Sequence, residues 1–128
     1  MSLDHVRIAS GSDLSAESGP SAVRRKYAIS EPGLSAGISS MESGEESEWH
    51  HHGSETTVFF MMSGSLRVEY GSDPMKSVTA SKGDFGVVRA GVSHREIAEG
   101  PEPIQAIVVR FGQDVDARAL EGGPPDMG

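Results

Sequence analysis

The chain of 128 residues contains no cysteine. That absence removes disulfides, thiolate zinc sites, iron–sulfur clusters and thiol nucleophiles together, so any metal chemistry must rest on histidine and carboxylates. Basic residues are scarce: 11 Lys and Arg stand against 19 Asp and Glu, for a formal charge of -8. A balance of that sign argues against nucleic acid or an anionic membrane as the main partner. Long apolar runs are missing too, and none approaches the roughly 20 residues of a bilayer-spanning helix. The N-terminus lacks the basic-then-apolar pattern of a secretory signal, and the expected location is cytoplasmic. What is present is an ordinary globular share of hydrophobic residues, 36%, which rules out disorder throughout and suffices for one core.

The composition shifts along the chain suggest three parts. Residues 1–22 read as a flexible N-terminal arm, because 9–22 are rich in Ser, Gly and Ala without periodicity. Residues 114–128 carry Gly-Gly-Pro-Pro and read as a C-terminal tail, with Asp114–Leu120 the best helical candidate. Between them, residues 23–113 hold short runs of Val, Ile, Phe and Tyr punctuated by Gly, Pro, Ser and Asp. Strands are expected at Arg25–Ile29, Leu34–Met41, Thr57–Met62, Ser65–Tyr70, Met75–Ala80, Gly86–Val88, Glu96–Ala98 and Ile104–Phe111. Many short strands at such spacing predict an all-β sandwich or barrel.

Four of the five histidines sit in two local contexts. The first is Trp49-His50-His51-His52-Gly53. In an extended segment His50 and His52 project to one side and His51 to the other, which allows two imidazoles to grip one ion from a rigid scaffold. The second context is His94, shortly after Gly91. A surface cluster and a structural histidine are the rival explanations of these residues.

The spacing of the surrounding glycines narrows the choice. Gly44, His50, His52 and Gly64 resemble the first motif of the cupin superfamily: Gly, five residues, His-x-His, then a Glu, then six residues and Gly. Gly83, Gly91 and His94 resemble the second motif, in which Pro-x-Gly precedes the His and an Asn follows it. The resemblance covers roughly residues 34–111 and departs from the pattern at three places. Thr57 stands at the motif Glu, Arg89 at the Pro and Ala98 at the Asn.

This resemblance implies an antiparallel β-barrel or jelly-roll-like double sheet around one divalent transition metal (Fe, Zn, Ni or Mn). It makes His50, His52 and His94 the expected ligands. With a hydroxyl at the motif Glu, Thr57 is a poor ligand, and Glu55, two residues earlier, is a candidate fourth ligand or proton-handling group that needs a bulge to reach the metal. Glu96, with the parity of His94, is a candidate base or a rim charge. Phe59 and Met61 share the parity of Thr57 and are expected either to wall the pocket or to pack as core. Trp49 and Tyr27 are candidates for the mouth. Arg24, Arg25 and Lys26 read as a solvated edge strand, while Arg67, Arg95 and Arg110 are candidate anchors for an anionic group, with no signal to place any of them in the pocket.

The family also implies homodimers, often through packed or exchanged N-terminal strands. The expected function is a metal-dependent cupin acting on a small organic molecule, either a dioxygenase or an isomerase, cyclase or lyase. The alternative is a non-catalytic module that binds or senses a small ligand.

Overall fold

Period-two alternation lets a strand bury one face, and the segment Thr56–Ser63 shows it plainly: Thr57, Phe59 and Met61 are buried while Met62 is exposed. A computed structural model describes residues 6–11, 15–17 and 23–112. Every regular element among them is a strand: β1 (Ser15–Glu17), β2 (Arg24–Glu31), β3 (Leu34–Met41), β4 (Thr56–Ser63), β5 (Ser65–Tyr70), β6 (Lys76–Ser81), β7 (Phe85–Val88), β8 (His94–Glu99) and β9 (Ile104–Phe111). The helical candidate Asp114–Leu120 lies outside the described residues. β1 falls within the segment expected as a flexible arm and pairs with β2.

The strands form two antiparallel sheets, one ordered β1-β2-β3-β9-β4-β7 and the other β6-β5-β8. The double-sheet arrangement is the one expected, but the sheets do not close on each other. β7 ends the large sheet and β6 ends the small one, and the two are not paired. Their inner faces meet in one core of Met41, Phe59, Met61, Leu66, Val68, Ala98, Ile104 and Ala106, drawn from both sheets. Aliphatic and Met side chains dominate it, as a chain with few aromatics requires.

Three strands coincide with the expected segments: β3, β5 and β9. β8 begins at His94, two residues ahead of the expected start. The ladder with β5 runs on through Glu69–Arg95 to Tyr70–His94, and residues of the loop preceding β4 bridge to the other edge of β8. Ser47 N–H donates to Glu96 O at 2.8 Å, and His50 and His94 exchange N–H···O bonds of 2.9 Å in both directions. His94, Glu96 and Ala98 therefore share the inner face with Leu66, Val68 and Tyr70 opposite them on β5.

Two glycines of the sequence motifs are required by this geometry. Gly64 links β4 to β5 with φ near +80°, and a Cβ there would come within 2.8 Å of Pro103 O. Gly91 has φ near +78° in the turn that delivers the chain to His94. On the inner face, Gly86 of β7 lies opposite Phe59, and a Cβ on it would come within 2.2 Å of Phe59 Cζ.

The outward side of the large sheet carries apolar residues in register. Ile38, Ile107, Phe60 and Phe85 form one row, and Ala36, Val109, Val58 and Val87 the next. Phe85 is 76% exposed.

The Gly86 contact leads to a stability prediction. Gly86→Ala should destabilise the fold by about 1–3 kcal/mol through overpacking. The same substitution should cost less in a Phe59→Leu background, where the ring is absent. Urea melts of the four-member mutant cycle measure both quantities, and additive losses would show that the ring contact is not the cause.

Candidate metal centre

The backbone pairing of His50 with His94 carries their side chains to the same inner face. His52 follows two residues later, and Glu96 two residues after His94. The outcome is a group of three imidazoles and one carboxylate whose ligand atoms all lie within 4.8 Å of one another. The three rings stand 4.4–5.3 Å apart between centroids. His94 is 1% exposed, and Glu96 is largely buried beside it.

The hydrogen bonds fix which ring nitrogens face inward. His50 Nδ1 lies 2.7 Å from Glu48 O, and His94 Nδ1 lies 2.9 Å from Val92 O. A carbonyl only accepts, so each Nδ1 carries a proton, and in the neutral ring each Nε2 presents a lone pair. His52 follows the same logic from the opposite end. The Arg110 guanidinium, which only donates, stands 3.4 Å from His52 Nε2, so His52 Nδ1–H donates to Thr57 Oγ1 at 2.7 Å. Tying down Nδ1 in this way orients a ligating histidine and raises its basicity.

With neutral rings, the inward-facing atoms are in conflict. Nε2 of His50 and Nε2 of His94 are buried without a hydrogen-bond partner. Each points a lone pair towards Glu96 Oε1, at 3.3 Å and 3.4 Å. A divalent ion resolves this arrangement, and nitrogen and oxygen donors of this kind suit Zn, Fe, Ni or Mn. Donors that share one ion at about 2.1 Å each stand at most about 4.2 Å apart, so the group needs to tighten only slightly.

Protonation is the competing solution. The Glu96 carboxylate raises the His50 pKa above its usual range, against the effect of burial. Burial, helped by the Arg110 charge, pushes His52 down to about 3. Burial alone would raise Glu96, but the imidazoles of His50 and His94 outweigh it and hold its carboxyl well below the usual range.

Other residues singled out from the sequence lie in different places. Thr57, at the position of the motif carboxylate, supports His52 from behind. Glu55 is not among the grouped donors; its Cγ lies against Gly112, where a Cβ would touch it at 3.4 Å. Phe59 lines the cavity beside the group, whereas Met61 is wholly buried in the core. His51 is exposed, and its Nδ1 accepts from Gly53 N–H at 3.0 Å. Trp49 is 45% exposed and stacks over the Arg95 guanidinium. Arg67 and Arg95 face outward and pair with Glu69, Glu99 and Glu46. Arg110 and Arg25, by contrast, line the cavity beside the group. Arg25 was expected on a solvated edge strand, but β2 lies between β1 and β3 and turns Arg25 inward; for Arg110, the alternation of Ile104, Ala106, Val108 and Arg110 on one strand is the signal in the sequence.

Comparison with known proteins agrees with this architecture. Residues 37–110 match the Cupin_2 family, described as a cupin domain, and the chain belongs to that family. No curated protein matches the sequence significantly. Among solved structures, the Schizosaccharomyces pombe Cnp3 cupin domain superposes with TM-score 0.70 at 15% identity, over 90% of this chain and 80% of that one. A predicted oxalate decarboxylase from Thermotoga maritima gives 0.68 at 15% identity, over 83% and 99%. Fe(II)-HppE gives 0.74 at 16% identity, over 86% of this chain and 63% of that one. At these identities the likeness is one of fold.

The opposed shifts of His50 and His52 predict how the metal-free protein responds to pH. His50 binds its proton more tightly when folded, a stabilisation complete below pH 6.5 and lost as pH rises through its raised value. His52 is protonated below pH 6.5 only in the unfolded chain, so acidification below that point favours unfolding, and Glu96 adds to the loss at lower pH. The thermal midpoint should therefore peak near the unperturbed histidine pKa of about 6.5 and decline towards pH 4.5. His52→Gln should flatten that decline in calorimetric scans; an unchanged slope would exclude His52 as its source.

Proposed function

We propose that this protein is a metal-dependent cupin that acts on a small organic molecule, with His50, His52, His94 and Glu96 holding one divalent transition metal. The observation that carries this reading is the pair of buried Nε2 atoms aimed at one carboxylate oxygen. Such an arrangement is unfavourable for its own sake and becomes favourable around a cation.

Bound there, a divalent ion supplies Lewis acidity to an oxygen of the substrate and lowers the pKa of a coordinated water. The remaining work belongs to the chain. The bonds to Glu48 O, Val92 O and Thr57 Oγ1 hold the three imidazoles in one tautomer and orientation. Glu96 stays ionised across the physiological range and gives the group its negative charge. Phe59, Val68 and Val88 line the adjoining cavity with apolar surface, which limits water.

A neutral three-imidazole set with one carboxylate and an apolar wall favours proton transfer on an enolisable substrate, in the manner of an isomerase, cyclase or lyase. Dioxygenase chemistry is the second reading, favoured if the resident ion is iron. The fold neighbours, one titled a predicted oxalate decarboxylase and one an Fe(II) protein, are compatible with either.

Elemental analysis of untagged protein, purified without added metal, tests the proposal. Near-stoichiometric metal is expected in wild type and should be lost in His50→Ala/His94→Ala. Glu96→Gln should weaken metal affinity by about tenfold or more. Iron directs the next assay to oxygen uptake, and zinc, nickel or manganese to proton exchange on enolisable acids and ketones. Little metal in the wild type would overturn the metalloenzyme reading in favour of a ligand-binding module.

A further inference from the structure

The cavity beside the metal group has a charge pattern that the metal reading does not use. It measures about 40 Å³ and is lined by His52, His94 and Glu96 together with two guanidiniums, Arg110 and Arg25. Strand register delivers both arginines. Arg110 lies opposite Thr57 across the β9–β4 ladder, and Thr57 in turn holds His52. Arg25 lies opposite Ser39 on β3, and Ser39 opposite Ala106 on β9, so all three share the inner face. Arg110 also stands 3.4 Å from His52 Nε2.

An inward-facing arginine is a specific choice. Its planar fork matches a carboxylate edge to edge, and it keeps its charge at any ordinary pH. The cavity is also small. At roughly 10–15 Å³ for each water by this measure, it has room for a group the size of a few waters, such as a carboxylate head, and not for a whole metabolite.

The rest of a ligand has somewhere to go. Where the sheets fail to close, between the edges of β6 and β7, lies a larger cleft of about 490 Å³. Its surface is mostly apolar, with Val78 and Ala80 from β6, Val87 from β7, and Tyr70 and Val92 nearby. Phe59, Val68, Val88 and His94 line both spaces, so the cleft adjoins the inner cavity.

From this juxtaposition we infer that the site takes a small organic carboxylate with an apolar body. The carboxylate is held by Arg110 beside the metal group, with Arg25 contributing charge, and the body occupies the open seam between β6 and β7. This inference deepens the metal-dependent reading by naming its substrate class, and it rests on that reading for its chemistry. The anchoring itself depends only on side chains of this chain.

Isothermal titration calorimetry on zinc-loaded full-length protein tests it, with phenylacetate as the complete probe. Acetate serves as the head alone, 2-phenylethanol as the body alone and inorganic phosphate as the rival anion. Phenylacetate should bind at least about tenfold more tightly than either fragment, and Arg110→Gln should weaken it by about tenfold or more while zinc content stays at the wild-type level. Val78→Asp should weaken phenylacetate and leave acetate unchanged, which keeps the test open should Arg110→Gln fold poorly. Phosphate binding more tightly than phenylacetate, or phenylacetate binding undiminished in Arg110→Gln, would overturn the inference. Failure of the metal reading appears separately, as absence of bound zinc; phenylacetate binding to that metal-free protein, lost in Arg110→Gln, would still support the anchor.

Discussion

The site depends on a single backbone pairing, the two reciprocal N–H···O bonds between His50 and His94. It joins segments more than forty positions apart and sets both residues opposite each other on an inward face. Opposed residues in an antiparallel pair present their side chains to the same side. Once this register is set, the two-residue periods that place His52 after His50 and Glu96 after His94 complete the group. A slip of one residue would turn the imidazole of His94 outward and bring Arg95 in.

A consequence is that the carboxylate of the group does not come from the position that the family resemblance implied. The position of the motif Glu is occupied by Thr57, whose side chain is too short and too weak a donor to replace a carboxylate, and it orients His52 instead. The carboxylate comes from the opposite sheet, as Glu96 on β8. Both strands face the same interior, so a donor can move between them and still address the same point. The charge of the group is preserved while its direction of approach changes.

Charge is also what separates the arginines. Arg67 and Arg95 occupy odd positions of an outward face and are satisfied there by Glu69, Glu99 and Glu46. Arg110 and Arg25 occupy inward positions beside the histidines. A guanidinium is costly to bring into an apolar interior. Burial is the main cause that keeps the neighbouring His52 ring neutral, and the Arg110 charge adds to it.

How much of this was legible in the sequence follows from the range of each interaction. Local alternation and turn chemistry decided that the chain is all-β, that β3, β5 and β9 lie where they do, and that Thr57, Phe59 and Met61 face inward. The glycine spacing and the three histidines pointed to the family and to the grouped imidazoles, because a positive-φ turn and a two-residue period are properties of neighbours in the chain. The start of β8, the inclusion of Glu96, the seat of Glu55 away from the group and the inward course of Arg110 were decided by tertiary structure. Each depends on which strand lies opposite which, and at what register. That is settled by packing two sheets against one core, and no window of sequence contains both partners.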